Sequence, residues 1–579
     1  MINRWIIKSP SAEEEILISK LSNELNINDI LSKLLVFRNI TDYEVARKYF
    51  NPQLSDLHDP FLMKDMRKAV DRINEAVGNK EKILVYGDYD VDGITAVAVV
   101  YKILRKFTTN IDYYIPDRDT EGYGISMQGI DYAAENGFGL IISLDCGIKA
   151  CAQVEYASER GIDFIITDHH NPSDELPNAL AVIDSKQDDC YYPYGELSGC
   201  GVGFKLMQAF YESNGLRFEK ISKWLDLVAV SIASDIVPIT GENRIMAYHG
   251  MRQMFKKPSL GLQTIMESAK MLDKNITISD IIFKIGPRLN ASGRVCSAKE
   301  AVELLISNDS QHAKQKCDEI NEYNLQRRDL DKSITEEALS EMGLDEELAN
   351  KKSTVLFNPN WHKGVIGIVA SRLIEKYHKP TVVLTESYGL VTGSARSVPN
   401  FDLYSAILSC SDLLEAFGGH MFAAGLSMKL ENVEEFTRRF EEYVQENISD
   451  EQLIHTLNAD TEITLDRITP KFVAILERMR PYGPDNMKPL FVTQRLRDAG
   501  YTSLVGSTQE HIKLDLIDEN GCKMRAIGFN LSEHFAHIKN GGFIDICYHI
   551  EENTFKERTT IQLVVKDIKV SGIEEYTDE

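Results

Sequence analysis

Three short apolar runs in this sequence each lead directly into acidic or imidazole side chains. In chain order they are Lys82-Ile83-Leu84-Val85-Tyr86-Gly87 followed by Asp88-Tyr89-Asp90-Val91-Asp92-Gly93, Leu140-Ile141-Ile142-Ser143-Leu144 followed by Asp145-Cys146-Gly147, and Asp163-Phe164-Ile165-Ile166-Thr167 followed by Asp168-His169-His170. Helical stretches separate most of these runs, which predicts a parallel sheet covered on both faces. Ligands of such sheets bind beyond the carboxyl ends of the strands, so we expect the three loops to converge on one crevice.

The side chains gathered in these loops predict a metal site. Carboxylates with one or two imidazoles suit Mn²⁺ or Mg²⁺ better than a metal that prefers thiolates. Several carboxylates with room for a phosphate are also the parts of a two-metal hydrolase. A single Asp at a strand end is usually a turn or a helix cap. Three such ends, one of them followed by two histidines, favour a functional cluster instead.

Two other interpretations compete for the first acidic loop. Asp88-x-Asp90-x-Asp92-Gly93 matches the first six positions of a calcium loop, but Val99 stands where the twelfth-position Glu belongs, and a strand precedes the loop where a helix should. The same loop after a strand also fits a haloacid-dehalogenase-type phosphatase. That chemistry has no use for Asp168-His169-His170, so it ranks second.

Length and composition restrict the class of protein. The 579 residues exceed what one hydrophobic core covers, and the mixture of 43% hydrophobic and 26% charged residues is that of a globular protein. No apolar run approaches the ~18 residues of a membrane span, and the first residues are too short an apolar stretch for a secretory signal. Nine cysteines without a Cys-x-x-Cys pair favour a reducing cytoplasm. The net charge of −24 argues against nucleic-acid binding, although a whole-chain sum hides local fields.

The pattern of apolar and polar residues divides the chain into five segments. The C-terminal stretch alternates strand patterns with Gly and Asn turns and has nearly balanced charge, which predicts a small β-barrel or sandwich. The predicted segments are a helical segment at 1–75, an α/β domain with a parallel sheet at 76–299, a linking helix at 300–350, a second α/β domain at 351–450 and the barrel at 458–579.

The acidic loop and Asp168-His169-His170 together resemble the DHH phosphoesterase superfamily. Further motifs resemble its bacterial single-strand-specific 5′→3′ DNA exonucleases, and the resemblance covers about residues 40–579. These motifs are Asp235 within Ala233-Ser234-Asp235-Ile236-Val237-Pro238, the stretch Gly286-Pro287-Arg288-Leu289-Asn290-Ala291-Ser292-Gly293-Arg294, and, as in the DHH-associated domain, Trp361-His362-Lys363-Gly364-Val365-Ile366-Gly367, Gly393-Ser394-Ala395-Arg396 and Gly418-Gly419-His420.

The resemblance implies a role for each matching residue. Asp145 would bridge two metal ions, and Asp168 would orient a histidine. The implied metal ligands are Asp90, Asp92, Asp145, His169 and Asp235, with Asp88 as a further acid near them. The implied catalytic and phosphate-contacting residues are Asp145, Asp168 and His170. The implied substrate contacts are Arg118 and Tyr123 on the strand, Arg294, Ser394 and Arg396 at the terminal 5′ phosphate, and His420 as a phosphate ligand.

The resemblance also implies an activity. This is metal-dependent removal of 5′-mononucleotides from single-stranded DNA in recombination and repair, with two Mn²⁺ or Mg²⁺ ions and an OB-fold-like barrel that extends the binding track. A single-strand-binding protein and a RecQ-type helicase are the implied protein partners. Tyr86 stands where many distant DHH phosphatases have His, which argues against a pyrophosphatase and leaves the first ion's coordination open.

Two alternatives remain at this stage. One is a DHH phosphodiesterase for short oligoribonucleotides or cyclic dinucleotides, which would not need the C-terminal barrel. The other is a non-catalytic replication scaffold, which would not need to retain the acidic and histidine residues.

Overall fold

The chain forms two compact units, each built from separate stretches of sequence. A computed structural model describes residues 3–118, 120–272, 274–344, 350–555 and 558–572. One unit, here called the motif unit because it carries the acidic loops, comprises Asn51–Arg328 and Arg480–Met487. The other, the composite unit, comprises Met1–Phe50, Asp329–Met479 and Lys488–Glu579. Among the described helices, none is both long and apolar enough to cross a membrane.

The motif unit is built on a five-stranded parallel sheet. Its strands lie in the order Ile111–Tyr114, Ile83–Gly87, Leu140–Leu144, Asp163–Thr167 and Ala181–Ile183. The central strands are buried because helices cover both faces, as their unbroken apolar runs predict. The helices are Val91–Leu104 and Gly199–Ser213 on one face and Met127–Glu135 and Cys151–Glu159 on the other.

Further helices complete the motif unit. They are Met66–Gly78, Leu225–Ser234, Gly241–Lys256, Leu260–Ser268, Gly286–Val295 and Lys299–Ile306. A 35-residue helix, Ser310–Leu344, then carries the chain from this unit into the composite unit. This is the predicted linking helix.

The first part of the composite unit is a mixed sheet with helices. Its strands lie in the order Leu414–His420, Ala423–Met428, Leu390–Arg396, Thr381–Ser387 and Thr354–Phe357, and only the last two pair in parallel. The accompanying helices are Ile366–Tyr377, Leu403–Leu408 and Val433–Asn447. Gly418-Gly419-His420 therefore ends a strand.

The C-terminal part of the composite unit is a closed β-barrel. Its seven strands lie in the order Thr461–Glu462, Phe491–Asp498, Ile544–Phe555, Arg558–Val570, Lys523–Gly528, His511–Ile517 and Ser503–Val505. A further pairing between Phe491–Asp498 and His511–Ile517 closes the sheet on itself. The helices Pro470–Arg478 and Phe535–Lys539 accompany it.

The N-terminal segment joins this same unit through a short strand. Arg4–Ile7 pairs in parallel with Thr456–Ala459, and the fully buried Trp5 donates a 2.7 Å hydrogen bond from Nε1 to Asp567 Oδ2. The helices that follow are Ala12–Leu25, Asp29–Val36 and Tyr43–Phe50. The helices expected in this segment are present, whereas the strand was not predicted.

The predicted fold class is confirmed. The structure has a parallel-sheet α/β domain, a linking helix, a second α/β domain and a C-terminal β-barrel. The numerical boundaries of the five segments stay predictions, because the two compact units divide the chain by contacts and each unit joins distant segments. The outer limits at residues 1 and 579 lie outside the described residues.

Candidate metal centre

Strand register brings the three acidic loops to one edge of the parallel sheet. Gly87 pairs with Leu144, and Leu144 pairs with Thr167. The next residue of each strand is therefore Asp88, Asp145 or Asp168, at equivalent positions beyond the carboxyl ends. The predicted convergence of the loops follows directly from this alignment.

Asp145 and His169 lie at the centre of the cluster. His169 Nε2 is 3.1 Å from Asp145 Oδ1, 3.6 Å from Asp235 Oδ2 and 3.9 Å from Asp92 Oδ2. Asp145 adopts a left-handed backbone with φ of 62°, which Asp tolerates better than most residues. Asp235 reaches the cluster from the C-terminal end of the helix Leu225–Ser234.

The donor atoms of this cluster fit a divalent cation. Both ring nitrogens of His169 and Oδ1 of Asp145 are buried without a hydrogen-bond partner among the described residues. Two sets of ligand atoms, Asp145–His169–His170 and Asp92–His169–Asp235, each lie within 4.8 Å of one another. Such oxygen and imidazole donors match Mn²⁺ or Mg²⁺.

The pKa shifts of the clustered side chains also favour a bound cation. Burial, together with the neighbouring Asp92 and Asp90, raises the pKa of Asp145 well above its ordinary value. The same causes raise the pKa of Asp235 to about 8. Burial lowers the pKa of His169, which favours the neutral imidazole that a metal requires. A bound cation would offset the repulsion between these carboxylates.

Asp92 is held by the start of a helix. Its Oδ2 accepts a hydrogen bond from Gly199 N at 2.7 Å, and its Oδ1 accepts from Cys200 N and Ser231 Oγ, each at 2.7 Å. The free N–H groups and dipole at the N-terminus of Gly199–Ser213 favour this carboxylate. A Cβ atom on Gly199 would lie 2.4 Å from Asp145 Oδ1. Gly199 is thus part of the site, and no spacing in the sequence predicted it.

Asp168 contacts His170 and backbone donors. Asp168 Oδ1 lies 2.7 Å from His170 Nδ1, and its Oδ2 accepts from Ile148 N at 2.9 Å. Burial alone would raise the pKa of Asp168, but the His170 hydrogen bond and the backbone donor hold it below its ordinary value. The pKa of His170 is correspondingly raised to about 9 against the effect of burial. The Asp168 carboxylate thus favours the protonated imidazole of His170.

The predicted strand contacts surround Tyr89. Tyr123 OH lies 3.2 Å from His170 Nε2, and the Tyr123 and Tyr89 rings meet edge to face at 5.9 Å. The Arg118 guanidinium lies 5.3 Å from the centre of the Tyr89 ring. Burial raises the pKa of Tyr89 to about 12, and the positive charges of Arg118 and Arg294 oppose this shift. Tyr89 belongs to the acidic sequence motif, but the motif predicted no role for it.

Tyr86 serves the loop that carries Tyr123. Its buried hydroxyl accepts a hydrogen bond from Ser126 N at 3.0 Å and donates to Gly124 O at 3.2 Å. Its ring stacks on Tyr114 at 5.3 Å. These hydrogen bonds attach the Tyr86 hydroxyl to the loop that carries Tyr123.

Three further acids, Asp88, Asp90 and Asp184, differ in their hydrogen bonds and burial. Asp88 Oδ1 accepts from Gly124 N at 3.3 Å, while Asp90 Oδ1 caps its helix through Gly93 N at 3.0 Å. Burial and neighbouring carboxylates raise the pKa of both. Asp184, which follows the strand Ala181–Ile183, was not predicted from the sequence. It is fully buried, and burial raises its pKa to about 7.

The remaining predicted residues form a separate group within the composite unit. Arg396 Nη1 donates to Ser394 Oγ at 3.0 Å, two residues away on the same strand. His420 and Arg396 both lie opposite Ala423, from the strands on either side of it. A Cβ atom on Gly367, at the start of the helix Ile366–Tyr377, would lie 2.9 Å from Ser394 Oγ and 3.0 Å from Arg396 Nη2. A helix start beside Arg396 is a favourable anion site.

Comparison with known protein families gives three matches along the chain. Residues 82–232 match the DHH family, N-terminal domain, residues 350–446 match the DHHA1 domain, and residues 459–567 match the RecJ OB domain. The parallel sheet with its Asp and His cluster thus defines a DHH-type phosphoesterase.

Relatives that match most of this chain identify the family within this class of protein. The single-stranded-DNA-specific exonuclease RecJ of Bacillus subtilis is 36% identical over 98% of this chain and 71% of its own length. RecJ of Escherichia coli K12 is 30% identical over 87% of this chain and 90% of its own. The chain belongs to the RecJ family.

Solved structures agree with this assignment. An exonuclease RecJ bound to manganese is 31% identical, with a TM-score of 0.59 over 68% of this chain and 96% of that one. RecJ from Thermus thermophilus in complex with Mn²⁺ shares the fold at 24% identity, with a TM-score of 0.84 over 100% of this chain and 80% of that one.

Replacing Gly199 by Ala tests the close approach of Gly199 to the Asp145 carboxylate. The added methyl group would displace the Asp145 carboxylate, so we expect Gly199→Ala to weaken Mn²⁺ binding by about 10–100-fold, as for other changes that disturb a ligand's orientation. Titration calorimetry on metal-free protein measures this. Gly78→Ala is the control, because a Cβ atom there meets nothing within 4 Å. Equal Mn²⁺ affinity in both variants would contradict the assignment.

The position of Tyr86 leads to a second prediction. Tyr86→Phe removes the hydroxyl that accepts a hydrogen bond from the Ser126 amide. Leaving this buried donor without an acceptor lowers the free energy of unfolding by about 1–3 kcal/mol. We expect the loop with Tyr123 to loosen, so that KM for single-stranded DNA rises while Mn²⁺ affinity is unchanged. Steady-state kinetics measures KM for single-stranded DNA, and calorimetry measures the Mn²⁺ affinity. A fall in Mn²⁺ affinity with KM constant would instead place Tyr86 at an ion.

Proposed function

We propose that this protein is a metal-dependent exonuclease that removes 5′-mononucleotides from the 5′ end of single-stranded DNA, in recombination and repair. The observation that carries the proposal is the set of unpartnered donors on Asp145 and His169, beside His170, whose Nδ1 lies 2.7 Å from Asp168 Oδ1. Membership of the RecJ family supports it, since the relatives bear the name single-stranded-DNA-specific exonuclease.

Two divalent ions, Mn²⁺ or Mg²⁺, are the proposed cofactors. Structures titled as RecJ complexes with manganese or magnesium support the choice of metal. The proposed ligands are Asp90, Asp92, Asp145, His169 and Asp235, with Asp145 shared between the ions and Asp88 close by. When bound, such ions lower the pKa of a water molecule and offset negative charge on a phosphate.

The protein's own side chains supply the rest of the chemistry. His170, kept protonated by Asp168, directs Nε2 toward Tyr123 and can donate to a non-bridging phosphate oxygen, which gains charge in the transition state. Because Asp168 is buried and accepts a backbone hydrogen bond, it holds the imidazole in one orientation. Tyr123, Arg118 and the Tyr89 ring are the proposed contacts for the strand next to this position.

Ser394, Arg396 and His420 form the proposed site for a terminal phosphate. Arg396 offers a charge-assisted donor, and the first turn of Ile366–Tyr377 adds the positive end of a helix dipole. Arg294 stays a predicted phosphate contact, and it lies in the motif unit. A pocket that accepts only a terminal phosphate restricts cleavage to ends, which favours mononucleotide products over internal cuts.

The barrel is the proposed extension of the strand-binding track. Tyr501 is 82% exposed and Phe529 is 56% exposed, and the Phe529 ring lies 5.1 Å from that of His511. Exposed aromatic rings on an OB-type barrel can stack with successive bases. This favours a long polynucleotide over oligoribonucleotides or cyclic dinucleotides. The complete acidic cluster likewise favours an enzyme over a scaffold.

Single-stranded DNA is therefore the proposed substrate, and a single-strand-binding protein and a RecQ-type helicase are the proposed partners. Such proteins coat or expose the single strands that this exonuclease would degrade. A cytoplasmic location is proposed as well, and the nine free cysteines support a reducing compartment.

The central test of this function is Asp145→Asn assayed on end-labelled DNA. Asn keeps the size and the tolerance for a left-handed backbone but removes the charge, so folding should persist while Mn²⁺-dependent release of mononucleotides disappears. Product analysis on single-stranded and duplex oligonucleotides measures this. Activity within about tenfold of the unmodified protein would argue against Asp145 as the shared ligand. Internal cleavage products would overturn the exonuclease assignment.

The terminal-phosphate site is tested with Arg396→Ala. A charge-assisted hydrogen bond contributes about 1.5–3 kcal/mol, so we expect a roughly 10–150-fold loss of kcat/KM on 5′-phosphorylated strands and little loss on 5′-hydroxyl strands. Arg438→Ala, which removes an exposed Arg paired with Glu435 in the same unit, is the matched control. An equal loss on both substrates would exclude Arg396 from the pocket.

A further inference from the structure

Residues 480–487 lie within the stretch that matches the RecJ OB domain, yet they pack in the motif unit. The chain leaves the composite unit after Met479 and returns to it at Lys488. Neither the sequence pattern nor the family match distinguishes these eight residues from the barrel around them. Their contacts within the motif unit therefore need a separate explanation.

Two backbone carbonyls of this segment are held by one buried side chain. Arg244, 4% exposed, donates from Nη1 to Pro481 O at 3.2 Å and from Nη2 to Arg480 O at 3.0 Å. Buried guanidinium donors need such acceptors, and the carbonyls are fixed in return. The start of the segment is thereby attached to the helix Gly241–Lys256.

A tight turn follows. Gly483 N donates to Asn486 O at 3.1 Å, Asn486 N donates to Gly483 O at 3.0 Å, and Asn486 Nδ2 donates to Pro481 O at 2.7 Å. Pro484 O, inside this turn, accepts from Ile239 N at 2.8 Å. A Cβ atom on Gly483 would lie 2.5 Å from Ile239 Cγ1. Only glycine allows the turn to approach Ile239 this closely.

Ile239 ends the short loop that begins at Asp235, the proposed ligand. Ile236 in this loop has φ of 60°, an unfavourable conformation for a β-branched residue. Such a backbone persists only where its surroundings determine it from both sides. Asp235 N bonds to Ser231 O at one end, and Pro484 O holds Ile239 at the other. Asn243 Nδ2 also donates to Pro238 O at 3.1 Å.

We propose that residues 480–487 are a positioning element of the metal site, which acts through Ile239 on the Asp235 carboxylate. The inference rests on the proposed role of Asp235 as a ligand. It assigns to this part of the C-terminal sequence a function that DNA binding by the barrel does not include. Deleting the whole C-terminal stretch would therefore alter the metal site as well as the binding track.

The test is Gly483→Ala in the full chain, with Gly78→Ala as control. The new methyl group would push Ile239 away, and we expect Mn²⁺ affinity to fall by about 10–100-fold. At saturating Mn²⁺ and DNA, kcat should fall while KM for single-stranded DNA stays constant. Calorimetry on metal-free protein gives the affinity, and binding of an oligonucleotide in EDTA should match that of the unmodified protein. Unchanged Mn²⁺ affinity and kcat in a folded Gly483→Ala protein would overturn the proposal.

A second pair of variants covers the case in which Gly483→Ala does not fold. Arg244→Gln removes the charged donor, whereas Arg244→Lys keeps a cation that can reach one carbonyl. We expect Mn²⁺ affinity to fall in Arg244→Gln and to recover partly in Arg244→Lys. Equal Mn²⁺ affinity in these two variants and the unmodified protein would overturn the proposal.

Asp235→Asn distinguishes a failure of the ligand assignment from a failure of the positioning role. If Asp235→Asn leaves Mn²⁺ binding unchanged, the proposed ligand assignment fails, and the positioning role fails with it. If Asp235→Asn weakens Mn²⁺ binding but the Gly483 and Arg244 variants do not, only the positioning role fails. Weakened binding in all of them supports both.

Discussion

Repulsion among buried carboxylates is the constraint around which the motif unit is organised. Five acids, Asp88, Asp90, Asp92, Asp145 and Asp235, come together at one end of a parallel sheet, and burial raises the pKa of most of them. Protein groups offset part of this charge. A helix N-terminus and a serine hydroxyl stabilise Asp92, and a protonated histidine stabilises Asp168. The central pair, Asp145 and His169, has no such partner among the described residues, which leaves that position to a cation.

Much of this arrangement could be predicted from the sequence. Each apolar run of four to six residues specifies a buried strand, and parallel connectivity brings the ends of neighbouring strands together. Asp145, Asp168 and His169 follow those ends immediately, so their proximity required only the sheet order. Asp235 was different. It lies at the end of a helix, and it was identified through its resemblance to a family motif rather than through periodicity.

Other features depend on contacts between distant residues, which local patterns do not encode. Gly199 matters because its Cα passes close to a carboxylate 54 residues earlier in the chain. Tyr86 looked like a substituted ligand, but its hydroxyl bonds to a loop 38 to 40 residues later. Asp184 follows the three-residue strand Ala181–Ile183, and no motif in the sequence marked it as a candidate. The strand Arg4–Ile7 has a partner about 450 residues away, and its four residues show no alternation.

Because each unit is built from separate stretches of sequence, the order of synthesis affects how the chain folds. Arg4–Ile7 is synthesised hundreds of residues before its β-partner Thr456–Ala459, and the indole of Trp5 bonds to Asp567, which is synthesised later still. The composite unit therefore cannot complete its fold on the ribosome until Asp567 has emerged. The nascent N-terminal segment must wait with apolar surface exposed, a state that favours chaperone binding and aggregation. A fusion partner placed before Arg4 would lie next to this late-forming strand pair.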